Sequence, residues 1–100
     1  MIKLVALFKR PEDTAAFDTH YEQTHAPLMS KVPGLVRMEV TRNLQAFRGE
    51  PDYYLITEMY FEDKASFDTA MASEENRTAG RDLMSFAKSY VTMLYGEVDA

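Results

Sequence analysis

The sequence contains no cysteine. That absence removes disulfides, thiolate catalysis and every cysteine-based metal site, and it fits an intracellular protein that needs no covalent staples. Basic residues are in the minority, 11 against 16 acidic ones, giving a formal net charge of −5. Nucleic-acid phosphates demand a basic stripe, so no nucleic-acid partner is expected. No apolar run approaches the roughly 20 residues that cross a bilayer, so no membrane span is expected. The opening run Ile2-Lys3-Leu4-Val5-Ala6-Leu7-Phe8 is interrupted by Lys3 and is too short for the apolar stretch and cleavage site of a secretory leader. The expected location is the cytoplasm. A glycine-rich phosphate loop, a G-x-S-x-G elbow, a paired-carboxylate signature and an H-E-x-x-H zinc motif are also missing. No cofactor is called for by any motif.

What is present suits one domain over residues 1–100, with room for a single modest core. Apolar residues make up 46 % of the chain, a globular share. Seven methionines and 12 % aromatics are many for this length, and large apolar side chains beyond the core's capacity belong in a pocket or a subunit interface.

The first strand is expected over Ile2 to Lys9, ended at Arg10-Pro11 because proline has no amide hydrogen for a ladder. Ile2, Leu4, Ala6 and Phe8 share one face, with Val5 and Leu7 on the other, so both faces are apolar at the centre. Asp13 or Thr14 can cap a helix carrying Phe17, Tyr21, Thr24, Leu28 and Val32 at helical spacing. Pro27 removes the hydrogen bond to the Gln23 carbonyl and crowds it, which predicts a kink or restart around His25-Ala26-Pro27. Pro33-Gly34 is a turn signal. Leu35 to Leu44 alternates, with Val36, Met38, Val40 and Leu44 opposite Arg37, Glu39 and Thr41. Tyr53 to Phe61 is the strongest strand, Tyr54, Ile56, Glu58 and Tyr60 facing away from Tyr53, Leu55, Thr57, Met59 and Phe61. Asp63 and then Ser73 can cap two further helical pieces, the second running through Gly80 to Leu83, Met84 and Phe86. A last strand is expected over Ser89 to Val98.

This order, β-α-β-β-α-β, is the ferredoxin-like, α+β arrangement, a four-stranded antiparallel sheet with helices on one face. The uncovered face still carries bulky apolar groups, and a patch of that kind calls for a partner. A second copy, packed sheet to sheet about a two-fold axis, is the simplest one.

Chemistry centres on the first helix. Tyr21 and His25 are four apart and share a side of an unbroken helix. His25, beside the proline break, suits a general acid or base because imidazole titrates near neutrality. The competing structural reading has His25 bonding a freed backbone carbonyl and holding the kink. His20 and His25 project about 140° apart on a helix, which suits a metal poorly, so no metal site is expected. Tyr60 and Tyr95 are candidates to orient a small oxygenated ligand, against the plainer reading of core and interface filling. Glu58, on a central strand, needs a cationic partner, with Arg37 or Arg42 as candidates.

The run Lys3-Leu4-Val5-Ala6-Leu7-Phe8-Lys9-Arg10, the block Phe17…Tyr21…His25-Ala26-Pro27-Leu28 and the following Pro33-Gly34-Leu35 resemble the EthD family of the dimeric α+β barrel superfamily, as does Phe61-Glu62-Asp63…Phe67…Ala70-Met71-Ala72-Ser73. The resemblance implies a ferredoxin-like fold paired into a homodimeric barrel, with a cleft between sheet and helices in each subunit. It implies no recognised cofactor site. Related barrels include lactone isomerases, polyketide cyclases, cofactor-free monooxygenases and haem-degrading enzymes. The family's recurrent histidine falls on His25. The reading that follows is a cofactor-independent enzyme, of isomerase, cyclase or oxygenase type, acting on a small, mostly apolar oxygenated molecule in the cleft between sheet and helices. Its catalytic residues would be His25 and Tyr21, and its substrate-binding residues Tyr60, Tyr95 and His20. A non-catalytic small-molecule carrier is the alternative.

Overall fold

In the computed structural model, which describes residues 1–99, the element order matches the expectation. Strand β1 spans Ile2–Phe8, with Ile2, Leu4, Ala6 and Phe8 buried and the residues between them half-buried. After it come helix α1 (Thr14–His20), a π-helical turn (Tyr21–His25) and helix α2 (Ala26–Met29). Strands β2 (Leu35–Thr41) and β3 (Leu55–Phe61), helices α3 (Lys64–Met71) and α4 (Glu74–Ala87), and strand β4 (Val91–Glu97) complete the chain. The sheet order is β2-β3-β1-β4, every neighbouring pair antiparallel.

Side-chain caps start the helices. Asp13 accepts from the Ala16 amide at 3.0 Å, Asp63 from Ser66 at 2.8 Å and Ser73 from Asn76 at 3.1 Å, each satisfying an amide that the first turn leaves unpaired. The proline break takes the form of a π turn one step earlier than the proline. The Ala26 amide reaches back five residues to the Tyr21 carbonyl, and the backbone passes into α2 without leaving helical angles. One extra residue in the turn absorbs the missing Pro27 amide, and it re-aims Tyr21 and His25 into the interior.

The helices lie on the face that carries Leu4, Ala6, Phe8, Leu55, Thr57, Met59 and Phe61, and these residues form the core with Phe17, Tyr21, Phe67, Ala79, Leu83 and Ala87. Alternation fails at two places. β2 slips register between Leu35 and Arg37, so Leu35 pairs opposite Phe61 and packs on the core while Val36 is 55 % exposed. One residue too many on that strand turns Val36 out of the face that alternation gives it. Tyr54, in the bend before β3, turns to the helix side and packs edge-on against Phe17 with ring centres 5.9 Å apart. Met84, read as part of the apolar stripe of α4, is exposed; Ala79, Leu83 and Ala87 carry that stripe.

Candidate active site

The π turn sends Tyr21 and His25 inward side by side, ring centres 5.7 Å apart and 1 % and 2 % exposed. Tyr21 sits against Phe8 and Phe17, and its hydroxyl is hydrogen-bonded to that of Thr57 on β3. Burial raises the Tyr21 pKa, so the phenol keeps its proton.

His25 does not bond a freed carbonyl. Its Nδ1 lies 3.0 Å from Oδ2 of Asp82 on α4, and His20 Nε2 lies 2.9 Å from Oδ1 and 3.1 Å from Oδ2 of the same carboxylate. An ionised carboxylate only accepts hydrogen bonds, so each nitrogen facing it carries the hydrogen. His25, held neutral by burial, is therefore the Nδ1–H tautomer with its lone pair on Nε2, and His20 carries a hydrogen on Nε2. His25 Nε2 has no hydrogen-bond partner among the described residues. Since no fully buried side-chain nitrogen or oxygen among the described residues is left unpaired, Nε2 keeps a point of contact with solvent. Phe86 covers both imidazoles, 5.2 Å from His25 and 4.4 Å from His20.

Burial lowers the His25 pKa; the Asp82 hydrogen bond and charge oppose that shift, and His20 adds to it. The net direction is down, which leaves His25 neutral at physiological pH. A neutral imidazole oriented through Nδ1 by a carboxylate, with Nε2 free, is chemically able to accept a proton and to be held as the imidazolium.

The other candidates lie elsewhere. Tyr60 is on the uncovered face of the sheet, its hydroxyl donating to Glu39 at 2.9 Å under the Arg37 guanidinium, 4.1 Å above the ring. Tyr95 sits opposite Leu4 on edge strand β4, leaning on Phe67 with ring centres 4.7 Å apart. Neither reaches the His25 cluster, whereas His20 joins it directly. Glu58 pairs with Lys3 of β1 at 2.9 Å, not with Arg37 or Arg42. Arg42 instead bridges Glu22 at 3.1 Å and Asp18 at 3.8 Å, with its guanidinium 5.8 Å from the centre of the Tyr21 ring.

Beyond Arg42 opens a cleft of about 320 Å³ between α1 and the loop joining β2 to β3, walled by Arg10, Asp18, Arg42, Leu44, Tyr53 and Tyr54 among others. The Tyr54 hydroxyl donates to Asp18 at 2.8 Å, and Arg10 lies 5.3 Å over the Tyr54 ring. A groove of about 430 Å³ runs past Phe17, His20, Phe86 and Tyr90. No cluster of three or more metal-binding side chains occurs among the described residues.

Asp82 and Thr57 are the residues that reading the sequence did not single out. Asp82 had a signal: it lies three residues after buried Ala79 and four before Phe86, which puts a carboxylate on the core-facing row of α4.

Comparison with known proteins points one way. The model of the EthD domain matches residues 9–89. An uncharacterised 11.0 kDa protein from the thcB–thcC intergenic region of Rhodococcus erythropolis is 35 % identical over 95 residues, covering 95 % of this chain and 92 % of that one. The crystal structure of an ethyl tert-butyl ether d (EthD) family protein from Bacillus halodurans superposes with a TM-score of 0.95 at 46 % identity, covering 99 % of each chain. Two more distant structures share the fold. A dimeric ferredoxin-like protein of unknown function from Thermobifida fusca has a TM-score of 0.72 at 13 % identity, over 97 % of this chain and 90 % of that one. SnoaB, a cofactor-independent oxygenase from Streptomyces nogalater, has a TM-score of 0.63 at 20 % identity, over 99 % and 91 %.

Proposed function

The chain belongs to the EthD family, and from that premise we propose that it is a cofactor-independent acid–base enzyme acting on a small, mostly apolar oxygenated molecule such as a quinone, phenol or lactone. The observation that carries this reading is the 3.0 Å bond from His25 Nδ1 to Asp82 on an imidazole only 2 % exposed. His25 Nε2 takes a proton from an acidic C–H or O–H of the substrate. The electron pair left behind delocalises into the adjoining carbonyl or ring, and Asp82 holds the new imidazolium. Isomerisation and cyclisation proceed by returning that proton elsewhere on the same molecule. SnoaB, with the same fold and a cofactor-independent reaction, supports the architecture as a host for such chemistry.

The active form is a homodimer joined through the uncovered sheet face, where Val5, Leu7, Ile56 and Leu94 form an apolar strip beside the Lys3–Glu58 pair. The dimeric ferredoxin-like protein from Thermobifida fusca supports a dimer as such.

A second reading, ligand carriage without turnover, is favoured by one observation: the cleft beside Arg42 and Tyr54 does not have His25 in its wall. The two readings separate in one experiment. The protein is incubated with a panel of hydroxyquinones, phenols and unsaturated lactones, and their consumption and conversion are followed by chromatography for wild type and His25→Gln. Enzymatic action gives products in the wild type and a loss of about 10²–10⁴-fold in the variant. Ligand-induced NMR shifts around Tyr53 and Tyr54 with no product from either protein establish carriage and overturn the enzymatic reading.

A further inference from the structure

We propose that His20 is a positioning residue for His25, acting through Asp82: the two imidazoles share one carboxylate, and the charge on the outer one sets how readily the inner one takes a proton. The proposal rests on the reading of His25 as the acid–base group, but its test does not need a substrate.

The geometry is a three-member row. His25 is buried, the Asp82 side chain is 14 % exposed, and the His20 side chain is 34 % exposed, so the row runs from the interior to the surface. Both Asp82 oxygens lie within hydrogen-bond distance of His20 Nε2, while one of them also receives His25 Nδ1. His20 thus fixes the plane of the carboxylate that orients His25. One negative charge balances one imidazolium and no more. A positive charge at the His20 position uses that carboxylate and opposes a proton arriving on His25 from its other side.

Among the described residues, Asp82 and His20 are the charged groups that act on His25. Asp82 is the group that α4 presents. Tyr21 of the π turn stays a bound phenol, and Arg42 lies against its ring. Helix α2 presents only Ala26, Pro27, Leu28 and Met29. At the outer end, Glu12, Asp13 and Tyr90 border the groove that His20 faces. Phe86 seals the side of the row between the rings. A surface histidine serving only as a helix-flank polar group needs neither the shared carboxylate nor this cover.

The test is the titration of His25, followed by heteronuclear NMR on the whole protein, in wild type, His20→Gln and His20→Lys. Glutamine keeps an N–H donor for Asp82 without the charge, and lysine keeps a charge at all relevant pH. The His25 midpoint is expected to move up in the first variant and down in the second, with unchanged circular dichroism. Where turnover is measurable, the acidic limb of the pH–rate profile moves with it. A His25 midpoint that stays in place in both variants overturns the coupling, whatever the catalytic activity. Shifts of opposite sign in a protein that converts no substrate leave the coupling standing and remove only the catalytic reading.

Discussion

His25 and Asp82 stand 57 residues apart in the chain and 3.0 Å apart at Nδ1···Oδ2, joining the π turn to α4 across the helical layer. The bond does two things at once. It satisfies a polar group that has left water, and it fixes which imidazole nitrogen is free.

Removing the acceptor therefore costs stability. Asp82→Ala leaves the His25 N–H without a buried partner, and a loss of about 1–3 kcal/mol is expected in urea unfolding at fixed protein concentration. His20→Gln, at the exposed end of the row, is expected to stay within about 0.5 kcal/mol of wild type. Equal stabilities for Asp82→Ala and wild type mean that the bond contributes nothing.

Stability also carries a pH signature. The His25 pKa is lowered in the folded protein from its ordinary 6.5, so in the window just below 6.5 the unfolded chain binds the extra proton and the folded one does not. Stability rises with pH through that window and is lost as pH falls from about 6.5 toward the lower folded value. Denaturation at pH 7.5 and 5.5 is expected to show this drop in wild type and a smaller one in His25→Gln. An equal drop in both proteins assigns it to other groups.

Tyr21 and Thr57 form the second buried pair, both about 1 % exposed and bonded hydroxyl to hydroxyl. Tyr21→Phe strands the threonine hydroxyl and Thr57→Val strands the phenol, each at about 1–2 kcal/mol. The double variant is expected to lose less than the sum of the two, because no unpaired group remains. Additive losses in the thermodynamic cycle contradict a direct bond.

The uncovered sheet face supplies a test of assembly. Leu94 is 52 % exposed on β4, opposite Val5 on β1. Leu94→Asp places a charge inside the proposed apolar contact, and sedimentation equilibrium is expected to show monomer where wild type is dimer. A wild-type monomer of 11.5 kDa at micromolar concentration contradicts the dimer itself.

Much of the frame was readable in the residues, because the signals are local. Asp13, Asp63 and Ser73 mark helix starts by chemistry that acts within one turn, and the period-two pattern of β1 sorts Ile2, Leu4, Ala6 and Phe8 onto one face, although both faces are apolar and the packing of the helices decides which one lies inward. Pro27 announced a break but not its form, since a kink, a restart and a π turn all relieve the same lost hydrogen bond. Val36 and Tyr54 were misplaced because a bulge and a bend shift alternation by one residue and leave no mark in the pattern. Asp82 escaped for a different reason. A lone carboxylate between Arg81 and Leu83 matches no motif, and its meaning depends on α4 packing beside the π turn, a contact between distant parts of the chain. Tyr60 and Tyr95 were grouped with His25 by residue type, whereas strand parity and strand order set them on the other face and on a far edge.

The most direct measurement is a long-range proton–nitrogen NMR spectrum of the two histidines in the wild-type protein at pH 7.5, without any ligand. His25 is expected to be neutral and protonated at Nδ1, with its lone pair on Nε2, and His20 to hold a proton at Nε2. A His25 ring protonated at Nε2 instead leaves no free base at that nitrogen, and the proposed acid–base role falls with it.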